Sequence, residues 1–408
     1  MAAALMPARP VQLREERARV PAELGRVVRG PLVWRARALL SRGPVNRVMA
    51  NETMRRFALC LSFLVSACGG GSGDTSTSAP PTPPVSAPVS EPAPAPAPSQ
   101  PAKVFALMDT GDSISVLADF AGRETADGLA FRTSWKILEP ASGVYDWTTL
   151  DAALDTVRAR GKQLTLHVGV SSIGIPNWLG ALGVVTYRYN TPTGVTVTEP
   201  VPWDAIFLSR YTQFLAALAS HIQARGDTGL LYAVSDGAPV AEMSIVGCQN
   251  SILSGGMAYS RANYLNAWKT TVGGHAAAFL TTRLFISAPV AVICMPDNDG
   301  KAFYTEVMDD ALGKSAKATV FAADLNAAGS ARLAQVDAAI STRAAIAYQM
   351  IWSSTNDTQN RMQGTLGDAV CHGLGSGARY FEIYKADISS SNAAIQTAIQ
   401  RARAGQPC

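Results

Sequence analysis

No Gly-x-Ser-x-Gly elbow, no His-Glu-x-x-His helix and no Walker loop occurs in the 408 residues, so serine-hydrolase, zinc-peptidase and P-loop chemistry lack their parts. The acidic loop of a calcium-binding hand is missing too, and Asp297-Asn298-Asp299-Gly300 reads as a turn before a helix. The cysteines show no zinc-like spacing, and no metal or cofactor is called for. Charge is sparse, at 16% of residues. The formal net charge of +4 owes much to residues 1–56, which are rich in Arg rather than Lys. The remainder is close to neutral, with no basic patch interleaved with aromatics, so nucleic acid is a poor partner.

The N-terminus does carry a targeting signal. From Met54 the chain reads MRRFALCLSFLVSACGGGSG: two Arg, a short apolar run, small residues and then Cys68. That is the order of a signal peptide, and the apolar run is too short to span a bilayer. Val65-Ser66-Ala67-Cys68 resembles a bacterial lipobox. The resemblance implies acylation of Cys68 and anchoring in the cell envelope, at the outer membrane or the periplasmic face. Residues 1–53 then precede the true start, and 54–68 form the signal. Residues 69–102, rich in Pro, Ala, Ser and Thr, make an extended tether without a core.

From residue 103 to the end, apolar strand-like runs alternate with helical ones, the pattern of a parallel α/β fold. Strands are expected near 104–108, 129–135, 163–170, 230–234, 284–287, 318–322, 345–351 and 378–384. Helical stretches include 203–225, 259–279, 297–312 and 331–342. Eight repeats in this length suit a (β/α)8 TIM barrel of a single chain. A doubly wound open sheet is the alternative, but no Gly-rich phosphate loop follows the first strand. Residues 184–189, 190–194 and 195–198 read as a β-hairpin inserted after the third strand.

This register also sorts the cysteines. With Cys60 in the signal and Cys68 lipidated, four remain, an even number suited to an oxidising compartment. Cys248 and Cys294 follow the fourth and fifth strands on neighbouring loops, while Cys371 lies in the seventh helix and Cys408 beside the eighth. The expected pairs are Cys248–Cys294 and Cys371–Cys408.

One segment points further. Residues 131–147, FRTSWKILEPASGVYDW, join an apolar strand bearing Arg132 and Trp135 to a Glu139-Pro140 break, a Gly turn and a helix. The helix carries Leu150-Asp151 and closes on Arg160-Gly161-Lys162. This run resembles the second βα unit of the clan A (β/α)8 glycoside hydrolases, the β-galactosidase and cellulase-like families. Pro176-Asn177-Trp178-Leu179 and Val201-Pro202-Trp203-Asp204 are similar to motifs after the third strand there. The resemblance implies a carbohydrate substrate and an acid/base glutamate after the fourth strand, where Glu242 is the only Glu. Two departures stand out: Ala241 replaces the Asn expected before that glutamate, and the seventh strand, IAYQMIWSS, offers Gln349 instead of a nucleophilic carboxylate. Glu382, one strand later, is the nearest substitute. Either the strand count is shifted by one or the site has been rebuilt.

Glycosidic cleavage needs two carboxyl groups flanking one bond, and Glu242 and Glu382 are the candidates. Glu382 alternates with Tyr380 and Tyr384, so the three share one strand face. A Glu inside a barrel wall is costly unless paired, so it is functional or bridged to a cation such as Arg132. Sugars stack on aromatic rings and bind polar groups at their rims, which nominates Trp135, Trp178, Trp352 and Tyr384 with Arg132, His167, Asn326 and Gln349. Trp203, at a helix start, reads as packing; Glu139 orients its own turn; His221, His275 and His372 lie in helices. The expected function is a glycoside hydrolase working by two-carboxylate chemistry at the cell envelope. The alternatives are a barrel that binds glycans without cleaving them, and a substrate-binding or structural lipoprotein whose open face is plugged by the 184–198 hairpin.

Overall fold

A strand buried on both faces reads as an unbroken apolar run, and the strands here do so. The computed structural model describes residues 101–170, 174–190, 196–235, 260–287, 300–336, 338–406 and 408. Eight strands form the barrel: β1 Lys103–Leu107, β2 Gly128–Ser134, β3 Gln163–Gly169, β4 Leu231–Ser235, β5 Arg283–Ser287, β6 Ala318–Leu325, β7 Ala345–Met350 and β8 Tyr380–Tyr384. Every neighbouring pair is parallel, and β1 pairs with β8 to close the ring. Around it run α1 Ile114–Ala121, α2 Thr148–Ala159, α3 Ala205–Ala224, α4 Arg261–Ala278, α5 Gly300–Lys314, α6 Ala338–Ser341, α7 Leu366–Gly375 and α8 Ala393–Ala404. The chain is thus an α/β protein built on a TIM barrel, and the expected strand count holds.

Alternation along each strand divides the core in two. Outward side chains such as Phe381 and Ile383 pack under the helices. Inward ones fill the barrel with an aromatic plug of Phe105, Tyr232, Phe285, Phe321 and Tyr380. Phe105 and Tyr380 have ring centroids 4.9 Å apart, and Tyr232 stacks on Tyr380 at 5.2 Å. Gly128 makes room for this plug: a Cβ there would lie 2.1 Å from the Gln163 carbonyl oxygen and 2.5 Å from Phe105. At Gly373, where α7 meets β8, a Cβ would come within 2.4 Å of Phe381.

Helix starts follow local capping. The Asp204 carboxylate accepts from the Phe207 N–H at the head of α3, and Thr365 with Asp368 forms a capping box on α7. Cys371 in α7 is disulfide-bonded to Cys408 as expected, pinning the C-terminus after α8. The hairpin pairs Thr186–Asn190 with Thr196–Pro200, antiparallel, and its 191–195 tip lies outside the described residues.

Some boundaries differ from expectation. The 331–342 stretch, read as one helix, is a 3-10 turn, Leu333–Gln335, followed by the single turn of α6. The second strand stops at Ser134, whose hydroxyl accepts from the Ile137 N–H and starts a one-turn helix, Trp135–Leu138. At the start of the described residues Ala102 is buried and donates its N–H to the Ala402 carbonyl. Residues 1–100, with Cys68, and residues 236–259 and 288–299, which hold Glu242, Cys248 and Cys294, lie outside the described residues.

Candidate active site

Above the aromatic plug the inward residues turn polar on one side of the barrel. β2 supplies Arg132, β3 His167, β7 Gln349 and β8 Glu382. Arg132 and His167 are register partners, as are Gln349 and Glu382. Two hydrogen bonds connect these strands across the barrel. Arg132 Nη2 donates to Gln349 Oε1 at 2.7 Å, and His167 Nε2 lies 2.7 Å from Glu382 Oε1. A carboxylate only accepts, so the ring presents its Nε2–H form to it.

Glu382 is fully buried. Beneath it, Tyr380 Oη lies 2.8 Å from Glu382 Oε1 and 2.8 Å from Thr165 Oγ1. The phenol has one proton, which goes to the carboxylate, so the Thr165 hydroxyl completes the chain by pointing at the phenol oxygen. Burial, then the Glu382 charge, drives the Tyr380 pKa well above its ordinary value, which keeps the phenol a donor. Glu382 Oε1 therefore accepts two hydrogen bonds, whereas Oε2 is buried and takes none from the described residues. One carboxylate oxygen is thus oriented, and the other is buried without a hydrogen bond from the described residues.

Tyr384 and Trp352 extend the site toward the rim. Their rings lie 5.8 Å apart, and Trp352 is 36% exposed. Burial raises the Tyr384 pKa, while the charges of Arg132 and Arg361 and a hydrogen bond from Arg132 pull it down. Arg361 lies over the Trp352 ring, 4.3 Å from its centroid. Beside them Lys385 is held by Asp112 at 2.6 Å and Asp109 at 2.9 Å.

The structure thus gathers Arg132, His167, Gln349, Glu382, Tyr384 and Trp352, and it leaves three nominees elsewhere. Trp135 is corrected: it is wholly buried, beyond reach as a sugar platform. Its Nε1–H donates to Glu139 Oε2 at 2.7 Å, and its ring packs against Tyr211 and Phe214. Trp178 gives its Nε1–H to the Glu139 carbonyl oxygen and carries Arg210 over its ring, which makes it a scaffold residue. Asn326 folds its own turn, with Oδ1 accepting from the Ala328 N–H. Glu139 organises this corner, also accepting from the Gly143 N–H at 2.8 Å. Thr165 was not singled out in the sequence, although its two-residue spacing from His167 puts both on one face.

The helical histidines have structural partners. His221 pairs with Asp151 at 2.7 Å and stacks on Trp147. His275 is buried, and its pKa is lowered to about 4 by desolvation. Trp203 packs against the core. Among the described residues no group of three His, Cys, Asp or Glu side chains is arranged to hold a metal.

No curated protein matches this sequence. Among solved structures the chain is similar to an exo-β-1,4-mannosidase from Opitutaceae bacterium strain TAV5, at 12% identity and TM-score 0.42, over 76% of this chain and 56% of the mannosidase's length. It is also similar to an intracellular xylanase from Thermoanaerobacterium saccharolyticum, at 11% identity and TM-score 0.43, covering 70% of this chain and 85% of that one. A psychrophilic family 10 endo-β-1,4-xylanase matches at 12% identity and TM-score 0.43, over 71% and 89% of the two chains. Residues 129–182, from β2 through the turn that follows β3, match the glycoside hydrolase 42 family, described as β-galactosidase.

Proposed function

We propose that the chain is an O-glycosyl hydrolase in which Glu382 on β8 serves as the nucleophile or base and Glu242, after β4, as the general acid. The observation that carries this reading is the state of Glu382: inside the barrel, with Oε1 fixed by His167 and Tyr380 and Oε2 unpartnered. A carboxylate attacking an anomeric carbon, or deprotonating water beside it, needs that division between an oriented oxygen and a reactive one. Trp352 and Tyr384 supply apolar faces for a sugar, and Arg132 and Gln349 supply rim hydrogen bonds. Glu242 lies outside the described residues, and its role follows from the resemblance alone.

The test is a comparison of wild type, Glu242→Gln and Glu382→Gln on polysaccharides and aryl glycosides, scoring turnover and binding together. Loss of turnover by roughly a thousandfold or more in both variants, with binding kept, establishes the pair. A second reading, a barrel that binds glycans without cleaving them, is favoured by one observation: the inward residue of β7 is an amide, Gln349. Wild type that binds a glycan and releases no product would establish that reading instead.

We further propose that the chain is exported and anchored through Cys68. The Cys371–Cys408 disulfide supports this, since such bonds persist in oxidising compartments. Metabolic labelling with palmitate is expected to mark wild type and to miss Cys68→Ala; equal labelling of both would remove the anchor.

A further inference from the structure

The Arg132 guanidinium stands in the barrel mouth, part-buried, with only neutral hydrogen-bond acceptors among the described residues, the Gln349 amide oxygen and the Tyr384 hydroxyl. No Asp or Glu among the described residues forms an ion pair with it. Glu382, in register with Gln349, directs Oε1 to His167 and Tyr380 instead. Lys385 differs, because Asp109 and Asp112 neutralise it. Arg361, over the Trp352 ring, is also without an ion pair among the described residues; neighbouring Asp357 accepts from the backbone N–H groups of Arg361 and Met362. A guanidinium withdrawn from water without an anion is costly, and a ligand anion relieves that cost.

The hydrogen-bonding sense of the neighbours points the same way. Gln349 turns Oε1 toward Arg132, which leaves its amide Nε2 as a pure donor directed away from the guanidinium. Tyr384 Oη accepts from Arg132 and gives its own proton to the Ile351 carbonyl oxygen at 3.4 Å, so it holds the guanidinium in place. Arg132 and the Gln349 amide are donors, and no carboxylate among the described residues pairs with either, next to the part-exposed Trp352.

We infer that Arg132 and Gln349, with Tyr384 holding the guanidinium, form a subsite for the carboxylate of a hexuronic acid residue, so that the substrate is an acidic polysaccharide. This rests on the glycan-hydrolase reading. It gives the amide on β7 a purpose, since a glutamate there would neutralise Arg132 and turn the subsite toward uncharged sugars.

The test is calorimetric titration of the full chain with galacturonate, glucuronate and mannuronate oligosaccharides, each against its carboxyl-reduced counterpart. At least one acidic oligosaccharide is expected to bind roughly tenfold or more tighter than its reduced form. Arg132→Gln and Gln349→Glu are each expected to erase that difference. Gln349→Glu keeps the side-chain size, so it decides the matter should Arg132→Gln fail to fold. Equal affinity for acidic and reduced sugars overturns the acidic subsite and leaves the glycan reading standing. Binding of neither class overturns both. A preference that survives Gln349→Glu also overturns the subsite, since the acid must then be recognised elsewhere.

Discussion

The segment that matches a known family carries half of the polar cluster, Arg132 and His167, while the other half, Gln349 and Glu382, stands on strands outside it. Residues 129–182 hold the recognisable motif, yet apart from Arg132, His167 and Thr165 its conspicuous side chains are spent on one another. Trp135 and Trp178 both donate to Glu139, and Arg210 covers Trp178. On β7 and β8 no family motif is legible, yet Glu382 and Gln349 face the barrel interior there. A motif that must fold the same corner every time is tightly specified; residues that meet a substrate are free to change with it.

Exchange of single residues sharpens this contrast, and the largest effect belongs to β8. Glu382→Gln is expected to lower kcat/KM by roughly a thousandfold with little change in binding, measured on the best glycoside found. A variant within a few-fold of wild type would move the chemistry elsewhere. Glu139→Ala is expected to do the reverse. It strands the Trp135 indole N–H and the Gly143 N–H, costing about 3 kcal/mol in denaturant unfolding, while turnover per folded molecule stays near wild type.

His275, in α4 and outside both regions, separates pH effects on folding from those on catalysis. Its folded pKa of about 4 lies below the ordinary 6.5, so the unfolded chain takes up the proton first as pH falls. Stability from this group is complete above pH 6.5 and is lost as pH drops toward 4, by about 3 kcal/mol. His275→Phe is expected to flatten that part of the stability profile without shifting the pH profile of kcat. The smallest effect belongs to Tyr380→Phe, which removes one donor to Glu382 Oε1. Turnover is expected to fall about tenfold, corresponding to roughly 1.4 kcal/mol, with the barrel intact.

Much of the architecture was legible because burial on both faces writes long apolar runs into every strand. The eight strands and the Cys371–Cys408 pair follow directly from that register. Helix 331–342 was not legible. Its apolar residues keep helical spacing, yet the Ser330 hydroxyl and the Arg332 N–H turn to Asp324, and the chain breaks into short turns. Trp135 misled for a related reason: a strand end and a helix start look alike in sequence, and one residue of overrun carries a side chain from the mouth to the core. Periodicity could place Glu382, Tyr380 and Tyr384 on one face, but not the bonds from His167 and Thr165, which lie 215 positions away from their partners in the chain.

The central claim is that the reactive carboxylate is Glu382 on β8, in place of one on β7. Chemical rescue tests it most directly. Glu382→Ala opens a space for a small anion beside His167 and Tyr380, and hydrolysis of an activated aryl glycoside is followed with and without azide. The account predicts a variant nearly inactive alone, restored roughly tenfold or more by azide, with a glycosyl azide as product. A folded Glu382→Ala chain that turns over the glycoside near the wild-type rate, indifferent to azide, would contradict it.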